Sequence, residues 1–586
     1  MRIKKLRIHN YRSIRDLEVE CPPMVTLIGP NNHGKSNVLS ALEFGLSTSA
    51  KPIEEDFFLY RDSDDNELWV EMIFHQLTEQ EKNDLQHYML YDNTIHIRKT
   101  AQLTAYGIKV FYSALVEQPK EEWLQADKAS YYTSQERINN TPLRDFIRKT
   151  KITKSDVKNA QLEYINKYRD KIAFKSKFEE ISSKNKIILP ELYLIPAVRD
   201  LTDEIRIKTT TTFGRLLIRA IDETTKSNPD FIKAREQLKA VIDLLNTRSA
   251  NEIQNNKLSQ LERLIESELK SWGEIKVNIR VTPPEIEQIF ESGIKVLVDD
   301  GTETTADRKG NGLQRSMIFA LLRVWAKTVQ FDRQEQSILN KQSNSLIFII
   351  EEPELFLHPQ AQRKLSILLR EIAEADGSQV FISTHSTQFV NLENYKEIAI
   401  ITKKSSREGS SIRQCTEELF KYSNTEKRRK EFNIAQWINP DRGEMFFARR
   451  VVFVEGATEK VILPFLAKKL GVFDPEVSII DCGSKNNLPL YIEIANKFKL
   501  SYIVIHDEDL TSGGTSNDLN KEIVSAAGPE RVEMLSPDFE GVSGIPKNQV
   551  GKKAKVFAAL DYFDSLDSSK IPVRLKDIIF KIYRNE

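Results

Sequence analysis

Apolar and polar positions follow two rhythms along this chain, and the switches between them predict its elements. Arg2-Ile-Lys-Lys-Leu-Arg-Ile8 alternates as a half-buried strand does, and Leu17-Glu-Val-Glu20 repeats that pattern after a turn at Asn10–Ile14. Met24-Val-Thr-Leu-Ile28 reads as a strand buried on both faces, and Asn37–Leu42 as the helix after it. Leu68–Phe74, His96–Arg98 and Ile108–Ser113 add a strand-rich lobe. Leu192–Pro196, Lys276–Val281 and Gly293–Val298 predict further strands, with Pro283-Pro284 between the last two. Ser345–Ile350, Gln379–Ser383, Arg450–Val454 and Ser501–Ile505 are compact apolar runs with helical patterns between them, which predicts α/β architecture with parallel sheets.

Two stretches break this order. Thr141–Pro190 holds 13 Lys and Arg against 6 Asp and Glu, a net +7. It reads either as a solvated helical face or as a surface that contacts phosphates without regard to sequence. Phe231–Leu245 puts Leu238, Val241, Ile242 and Leu245 on one helical face, and Leu258–Leu269 does the same with Leu258, Leu261, Ile265 and Leu269. With polar Asn246–Asn256 between them they form a helical hairpin, which either packs on its own domain or dimerises. Lys403–Ser411 reads as a polar linker, and 413–446 as partly helical.

The chemistry sits where the apolar runs end. Gly29-Pro-Asn-Asn-His-Gly-Lys-Ser36 fits G-x-x-x-x-G-K-[ST] between a strand and a helix, the context that makes this pattern a phosphate cradle. Gly29 and Gly34 permit tight turns, Asn31, Asn32 and His33 complete the loop, Lys35 would reach the terminal phosphates, and Ser36 would ligate Mg²⁺. The strand from Ser345 ends in Glu351-Glu352-Pro-Glu354; Glu351 would hold Mg²⁺ through water and Glu352 would position the attacking water. Gln379–Ser383 ends in Thr384-His385-Ser386, which puts His385 at a strand's ligand-binding end, facing the γ-phosphate. Lys309-Gly-Asn-Gly-Leu-Gln-Arg315 opens a helix expected over Ser316–Ala326. Together these motifs resemble the ATP-binding cassette ATPases of the chromosome-maintenance and RecF-like branch. That resemblance implies two heads closing on ATP, with Gly310–Gln314, Gly312 at its centre, reaching the nucleotide held by Lys35 of the other copy. Gly-Asn-Gly replaces the usual Ser-Gly-Gly core of that signature. Arg12 and Gln76 occupy positions where relatives contact nucleotide and Mg²⁺.

A second constellation follows. Arg450-Val-Val-Phe-Val-Glu-Gly456 is a buried strand ending in Glu455, with Glu459 on the next helix, and Ser501–Ile505 leads into His506-Asp-Glu-Asp509. Parallel strands would bring Glu455, Asp507 and Asp509 to one edge, where they could hold hard divalent cations. The order strand, Glu-Gly, helix, strand, D-x-D resembles the Toprim fold. A head of this branch followed by Toprim resembles the overcoming-lysogenisation-defect (OLD) family of nucleases. Asp538 and Glu540 match that family's later acidic position, and Lys555 or Lys553 its lysine, Lys555 preferred because it precedes the apolar face Val556, Phe557 and Leu560. The resemblance implies two-metal phosphodiester hydrolysis, with Glu455, Glu459, Asp507, Asp509, Asp538 and Glu540 around Mg²⁺ or Mn²⁺ and the lysine offsetting phosphate charge.

On this reading the chain divides into an ABC/RecF-like P-loop ATPase N-terminal lobe (1–140), a basic and helical insertion (141–275), an ATPase C-terminal lobe (276–420), a linker (421–446) and a C-terminal Toprim α/β domain (447–586). The expected activity is ATP-regulated DNA endonuclease or nickase action in defence against phage or other foreign DNA. The alternative is an ATP-dependent DNA clamp or nucleotide sensor whose Toprim domain is structural. The resemblance also implies a homodimer or higher oligomer; family members act alone, with a helicase-like partner or beside a reverse transcriptase. Composition narrows this modestly. A formal net charge of zero argues against a histone-like polyanion binder. Cys21, Cys415 and Cys482 form no zinc spacing or disulfide framework. MRIKKLRIHN has no signal-peptide core and no run approaches a membrane span, which fits a cytoplasmic protein.

Overall fold

The computed structural model describes residues 1–60, 65–147, 149, 151–181, 189–197, 257–269, 296–320, 345–419, 440–509, 514–545 and 555–584, with isolated positions between 214 and 240 and at 276. These form two compact units: Met1–Tyr193 with Lys341–Glu354 and Pro359–Glu586, and Leu194–Asn340 with Leu355–His358.

Alternation builds the first sheet of the larger unit. Strands β1 (Arg2–Tyr11), β2 (Ile14–Glu20), β4 (Glu67–His75), β5 (Ile95–Thr104), β6 (Gly107–Pro119) and β7 (Phe174–Glu180) pair antiparallel in the order β2-β1-β4-β5-β6-β7. Strand β3 (Met24–Ile28), buried at every position, belongs to another sheet. Between β6 and β7 the chain makes an excursion with its own small core, where Leu124, Ala129, Ile138, Leu143, Ile147, Val157 and Ala160 pack together. The Lys120 N–H···O=C Ala173 bond (2.8 Å) closes its neck. The described part of the basic stretch therefore divides between this excursion and edge strand β7. On the helix Lys154–Tyr168, Val157 and Ala160 are buried while Lys154 and Lys158 are exposed.

The second sheet is where the buried runs gather. Strand β8 (Glu191–Ile195) lies at one edge; β9 (Leu297–Asp299) and β10 (Glu303–Thr305) form a separate hairpin in the smaller unit. Strands β11 (Leu346–Glu351), β12 (Ser378–Ser383), β13 (Ile398–Lys403) and β14 (Ser410–Gln414) complete the order β14-β13-β3-β12-β11-β8. β13, β3, β12 and β11 are parallel, so Ile28, Ser383 and Glu351 all end at one edge. The segment read as a polar linker is instead the turn of the antiparallel β13–β14 hairpin.

The third sheet is wholly parallel: β15 (Arg450–Val454), β16 (Val477–Asp481), β17 (Tyr502–Asp507) and β18 (Val532–Leu535) in the order β16-β15-β17-β18. Strict alternation sends its side chains into two cores. Val452, Val454, Ile503 and Ile505 pack with the helices Ala457–Lys469, Lys555–Ser565 and Val573–Tyr583. Val451, Phe453 and Val504 face the other way, into a core that also holds Ile28, Ile398 and Ile400 of the second sheet, with Met445 and Phe446 between.

In the smaller unit, the helix Lys257–Leu269 leaves Leu261 and Leu264 exposed. Most of the other arm of the expected hairpin, the strand expected at Lys276–Val281 beyond its first residue, and all of 421–439 lie outside the described residues. Among the described residues no helix is long and apolar enough to cross a membrane.

Because one apolar core serves both parallel sheets, they should unfold together. Phe446, 3% exposed and edge-on to Phe498, is central to it. Phe446→Ala should cost about 3–5 kcal/mol and shift one cooperative denaturant transition seen by probes in both sheets. Two separated transitions, with only one displaced, would contradict the shared core.

Candidate active sites

The phosphate loop is forced by its surroundings. Gly29 has φ +136°, and a Cβ there would lie 2.1 Å from the Ile401 carbonyl oxygen. Gly34 has φ +108°, and its Cβ would meet Ser410 Oγ at 2.3 Å and Ser13 Oγ at 2.7 Å. Both positions therefore demand glycine for space and for backbone conformation. The loop is also braced from outside. Ser410 Oγ donates to the His33 carbonyl (2.7 Å) and lies 2.8 Å from Ser13 Oγ, which accepts from Asn37 Nδ2 (2.8 Å). Neither serine stood out in the sequence; Ser410 looked like linker. A turn serine just before a short alternating strand was the only signal it offered.

Lys35 is buried, and its ammonium donates to the Gly29 and Pro30 carbonyls at 2.9 and 3.1 Å. Burial pushes its pKa down, and Glu352 and Glu354 pull it back up. Asn31, Asn32 and Ser36 are exposed around it. Glu351 ends β11. Glu352 sits in the left-handed region at φ 43°, an unfavourable conformation for this residue, and its N–H donates to Ser383 O (2.8 Å). Glu354 fastens the histidine turn: its carboxylate accepts from Thr384 Oγ1 (2.8 Å) and the His385 N–H (2.6 Å). The His385 pKa is lowered by partial burial and then by Lys35, with Glu352 and Glu354 opposing. Those mutual effects place Lys35, Glu352, Glu354 and His385 at one sheet edge. Arg12 reaches the helix after the loop, with Nη1 3.3 Å from Ser40 Oγ and Nε 2.7 Å from Asp56 Oδ1.

Gln76 does not join them. It accepts from Arg2 Nη1 (3.5 Å), and Arg2 also caps the Ala373 and Ala375 carbonyls, beside the start of β12. Lys35 and His385 lie at the other end of that strand, six residues away. The expectation that Gln76 meets Mg²⁺ is corrected by this placement: β4 runs antiparallel to β1 and carries Gln76 to the far edge. Gly312 lies in the smaller unit, where a Cβ would be 3.0 Å from the Phe356 carbonyl and Arg315 Nη1 is 3.3 Å from the Leu355 carbonyl.

The third sheet collects a second set of charges at its C-terminal edge. Glu455 directly follows β15, and its Oε1 accepts from the Asp507 N–H at 2.7 Å. The carbonyl of Asp507 accepts from Lys485 Nζ, which also donates to Asp509 Oδ2 at 3.1 Å. Asp507 is thus pinned on both peptide flanks, while among the described residues its buried Oδ1 has no hydrogen-bond partner. Burial, then Glu455, Glu459 and Asp509, push its pKa up to about 7. Burial also raises Glu455 and Glu459; Lys485 and Lys555 oppose this at Glu455, and Lys555 at Glu459. Lys555 Nζ is 2.6 Å from Glu540 Oε1, which ties the later acidic position to the edge; Lys553 lies outside the described residues. Asp538 serves locally, its Oδ1 capping the short helix Phe539–Ser543 through the Gly541 N–H (2.7 Å). Asp481, ending β16, raises the Glu459 pKa and so belongs to the same field.

Asp481 and Lys485 escaped the sequence reading. Their signal is the grammar that identified Glu455: an apolar strand, a carboxylate, then glycine, here Val477–Asp481-Cys-Gly483. Among the described residues no three His, Cys, Asp or Glu side chains already enclose an ion-sized space. The edge is a row of carboxylates tied to backbone and ammonium. The buried Asp507 Oδ1, without a hydrogen-bond partner among the described residues, nonetheless fits a divalent cation.

These two edges define a protein class: an ATPase head with a phosphate loop, acidic strand end and histidine turn, joined to a Toprim-type domain. The chain belongs to the AAA ATPase domain family AAA_15, whose model matches residues 1–390. Residues 446–509 match the overcoming lysogenization defect protein-like TOPRIM domain. Among curated proteins, it is 30% identical to an OLD nuclease of Thermus scotoductus over 37% of this chain and 44% of that one. It is 27% identical to the Old nuclease of Escherichia phage P2 over 56% and 54%, and 23% identical to endonuclease GajA of Bacillus cereus over 55% and 49%. The chain spans about half the length of the curated relatives it matches.

The raised Asp507 pKa carries a sign. A carboxyl raised in the fold favours folding while protonated, and that contribution is lost as pH climbs from its unfolded value near 4 towards about 7. In EDTA, Asp507→Asn should therefore raise the thermal midpoint at pH 8 by several degrees, with the gain shrinking to nothing near pH 4. Mn²⁺ should then stabilise the wild type more than the variant. A variant equally stable at both pH values, or less stable at pH 8, would contradict the assignment.

Proposed function

We propose that this protein is an ATP-regulated, divalent-cation-dependent DNA endonuclease or nickase. The observation that carries the reading is Asp507: both flanking peptide groups are held, its buried Oδ1 has no hydrogen-bond partner among the described residues, and Glu455, Glu459 and Asp509 surround it electrostatically. That is the arrangement of a cation ligand, and it is costly to maintain without a cation.

Glu455, Asp507 and Asp509 would hold Mg²⁺ or Mn²⁺, which when bound activates water and offsets charge on a phosphodiester. The protein's own groups do the rest. Lys555, held by Glu540, brings an ammonium to the edge, where it offsets negative charge developing on the phosphate. Burial raises the Glu459 pKa beside Glu455, which favours its proton-holding form. At the other edge, Lys35, now donating to its loop carbonyls, would bind nucleotide phosphates, Ser36 and Glu351 would hold Mg²⁺, Glu352 would orient water and His385 would face the γ-phosphate. A second copy would complete that site through the Gly310–Gln314 loop. The ATP state would then decide when the carboxylates cut, and kinship with proteins named as nucleases and an endonuclease supports a nucleic-acid substrate, here DNA. Action against phage or other foreign DNA is part of the same proposal.

Plasmid relaxation with Mn²⁺, with and without ATP, tests this. The wild type should nick. Asp507→Ala combined with Asp509→Ala should reduce nicking at least about a hundredfold. Lys35→Ala should abolish ATP hydrolysis and the effect of ATP on nicking while leaving Mn²⁺ binding intact. Wild-type nicking by the double variant would overturn the assignment, and a wild type that binds DNA but never cuts it would favour a clamp or sensor.

A further inference from the structure

A carboxylate edge this crowded requires a counter-charge before any divalent ion arrives, and the fold supplies one. Lys485 lies in the turn after β16 and is only 8% exposed. Its ammonium donates to the Asp507 carbonyl and, at 3.1 Å, to Asp509 Oδ2. The turn is closed from beneath: Ser484 Oγ accepts from the Asn486 N–H (3.3 Å), and Asn487 Nδ2 donates to the Cys482 carbonyl (2.8 Å). The facing loop is held too. The Glu508 N–H donates to Leu535 O (2.9 Å) and the Asp509 N–H to Pro537 O (3.1 Å), with Asp509 in the left-handed region at φ 55°. Asp509 therefore stays where the ammonium meets it. A buried ammonium is tolerated only when paired, and this one is paired with the second carboxylate of the D-x-D sequence.

We propose that Lys485 is a positioning residue and the resident counter-cation of the carboxylate edge: its ammonium fixes the aim of Asp507 and occupies Asp509 until a divalent cation displaces it. The proposal rests on reading this edge as a cation site. Lys485 differs from Lys555, which pairs with Glu540. Its contacts are with the D-x-D loop itself, so cation entry at Asp509 and release of the Lys485 ammonium are one exchange. The consequence is two unequal cation affinities: Asp507 offers a buried oxygen unpartnered among the described residues, while Asp509 must first lose an ion pair.

Mn²⁺ binding to the full chain, followed by electron paramagnetic resonance without DNA or nucleotide, separates the possibilities. The wild type should show a tight and a weak class. Lys485→Met should tighten the weak class about tenfold yet slow plasmid nicking at saturating Mn²⁺ about tenfold. Lys485→Arg should restore nicking to within a few-fold. Tighter binding with slower cutting is a split that a merely structural lysine would not give. A folded Lys485→Met protein with unchanged or weaker Mn²⁺ binding overturns the proposal. Asp507→Asn distinguishes the failures: if it too leaves Mn²⁺ binding unchanged, the cation-site reading falls with it. Should Lys485→Met not fold, amine acylation of the wild type decides. Lys485 should be protected in EDTA and become reactive in saturating Mn²⁺, and persistent protection overturns the exchange.

Discussion

The apolar core shared by the two parallel sheets is the constraint on which everything else depends. Val451, Phe453 and Val504 of one sheet and Ile28, Ile398 and Ile400 of the other bury themselves in the same cluster, with Met445 and Phe446 wedged among them. Interiors packed at crystalline density do not deform gradually, so elements sharing one core keep a fixed relation. The strand that ends in the phosphate loop and the strands that end in Glu455 and Asp507 are therefore parts of one packed body. The linkage extends through polar contacts: Lys497 pairs with Glu417, and Arg413 Nη1 donates to the Lys499 carbonyl (2.8 Å). Strand β14, which carries Arg413, begins at Ser410, the residue that braces the phosphate loop.

Parallel strands explain why charge gathers at these edges at all. Each strand delivers its last side chain to the same side, and the following turn leaves room for a ligand. Lys35, Glu352, Glu354 and His385 come together this way, as do Glu455, Asp507, Asp509 and, unexpectedly, Asp481. The cost of crowding is visible in the raised pKa of Asp507 and in the ammonium of Lys485 buried beside it. A site that opposes folding in the absence of its cation is a common signature of function.

Much of this was legible in the sequence, because buried parallel strands have a strong local pattern. The runs at Met24, Leu346, Ser378, Arg450 and Tyr502 all form strands, and the charged residues predicted at their ends lie at the expected edges. What escaped was set by distant contacts. Lys403–Ser411 has the composition of a linker, but it turns a hairpin whose Ser410 closes on Gly34 from 376 residues away. Gln76 follows a correctly predicted strand, yet only the antiparallel pairing of β1 with β4 reveals that it points to the wrong end. Lys485 went unnoticed because its burial depends on β16 lying beside β15, an order no local pattern encodes.

The central claim is that the carboxylate edge of the C-terminal sheet is a divalent-cation site held on the same body as the phosphate loop. Anomalous diffraction from crystals grown with Mn²⁺ and a non-hydrolysable ATP analogue tests it most directly. An anomalous peak within coordination distance of Glu455 and Asp507, alongside one at Ser36, is the predicted result. Full occupancy at Ser36 with no peak at the carboxylate edge in millimolar Mn²⁺ would contradict the account.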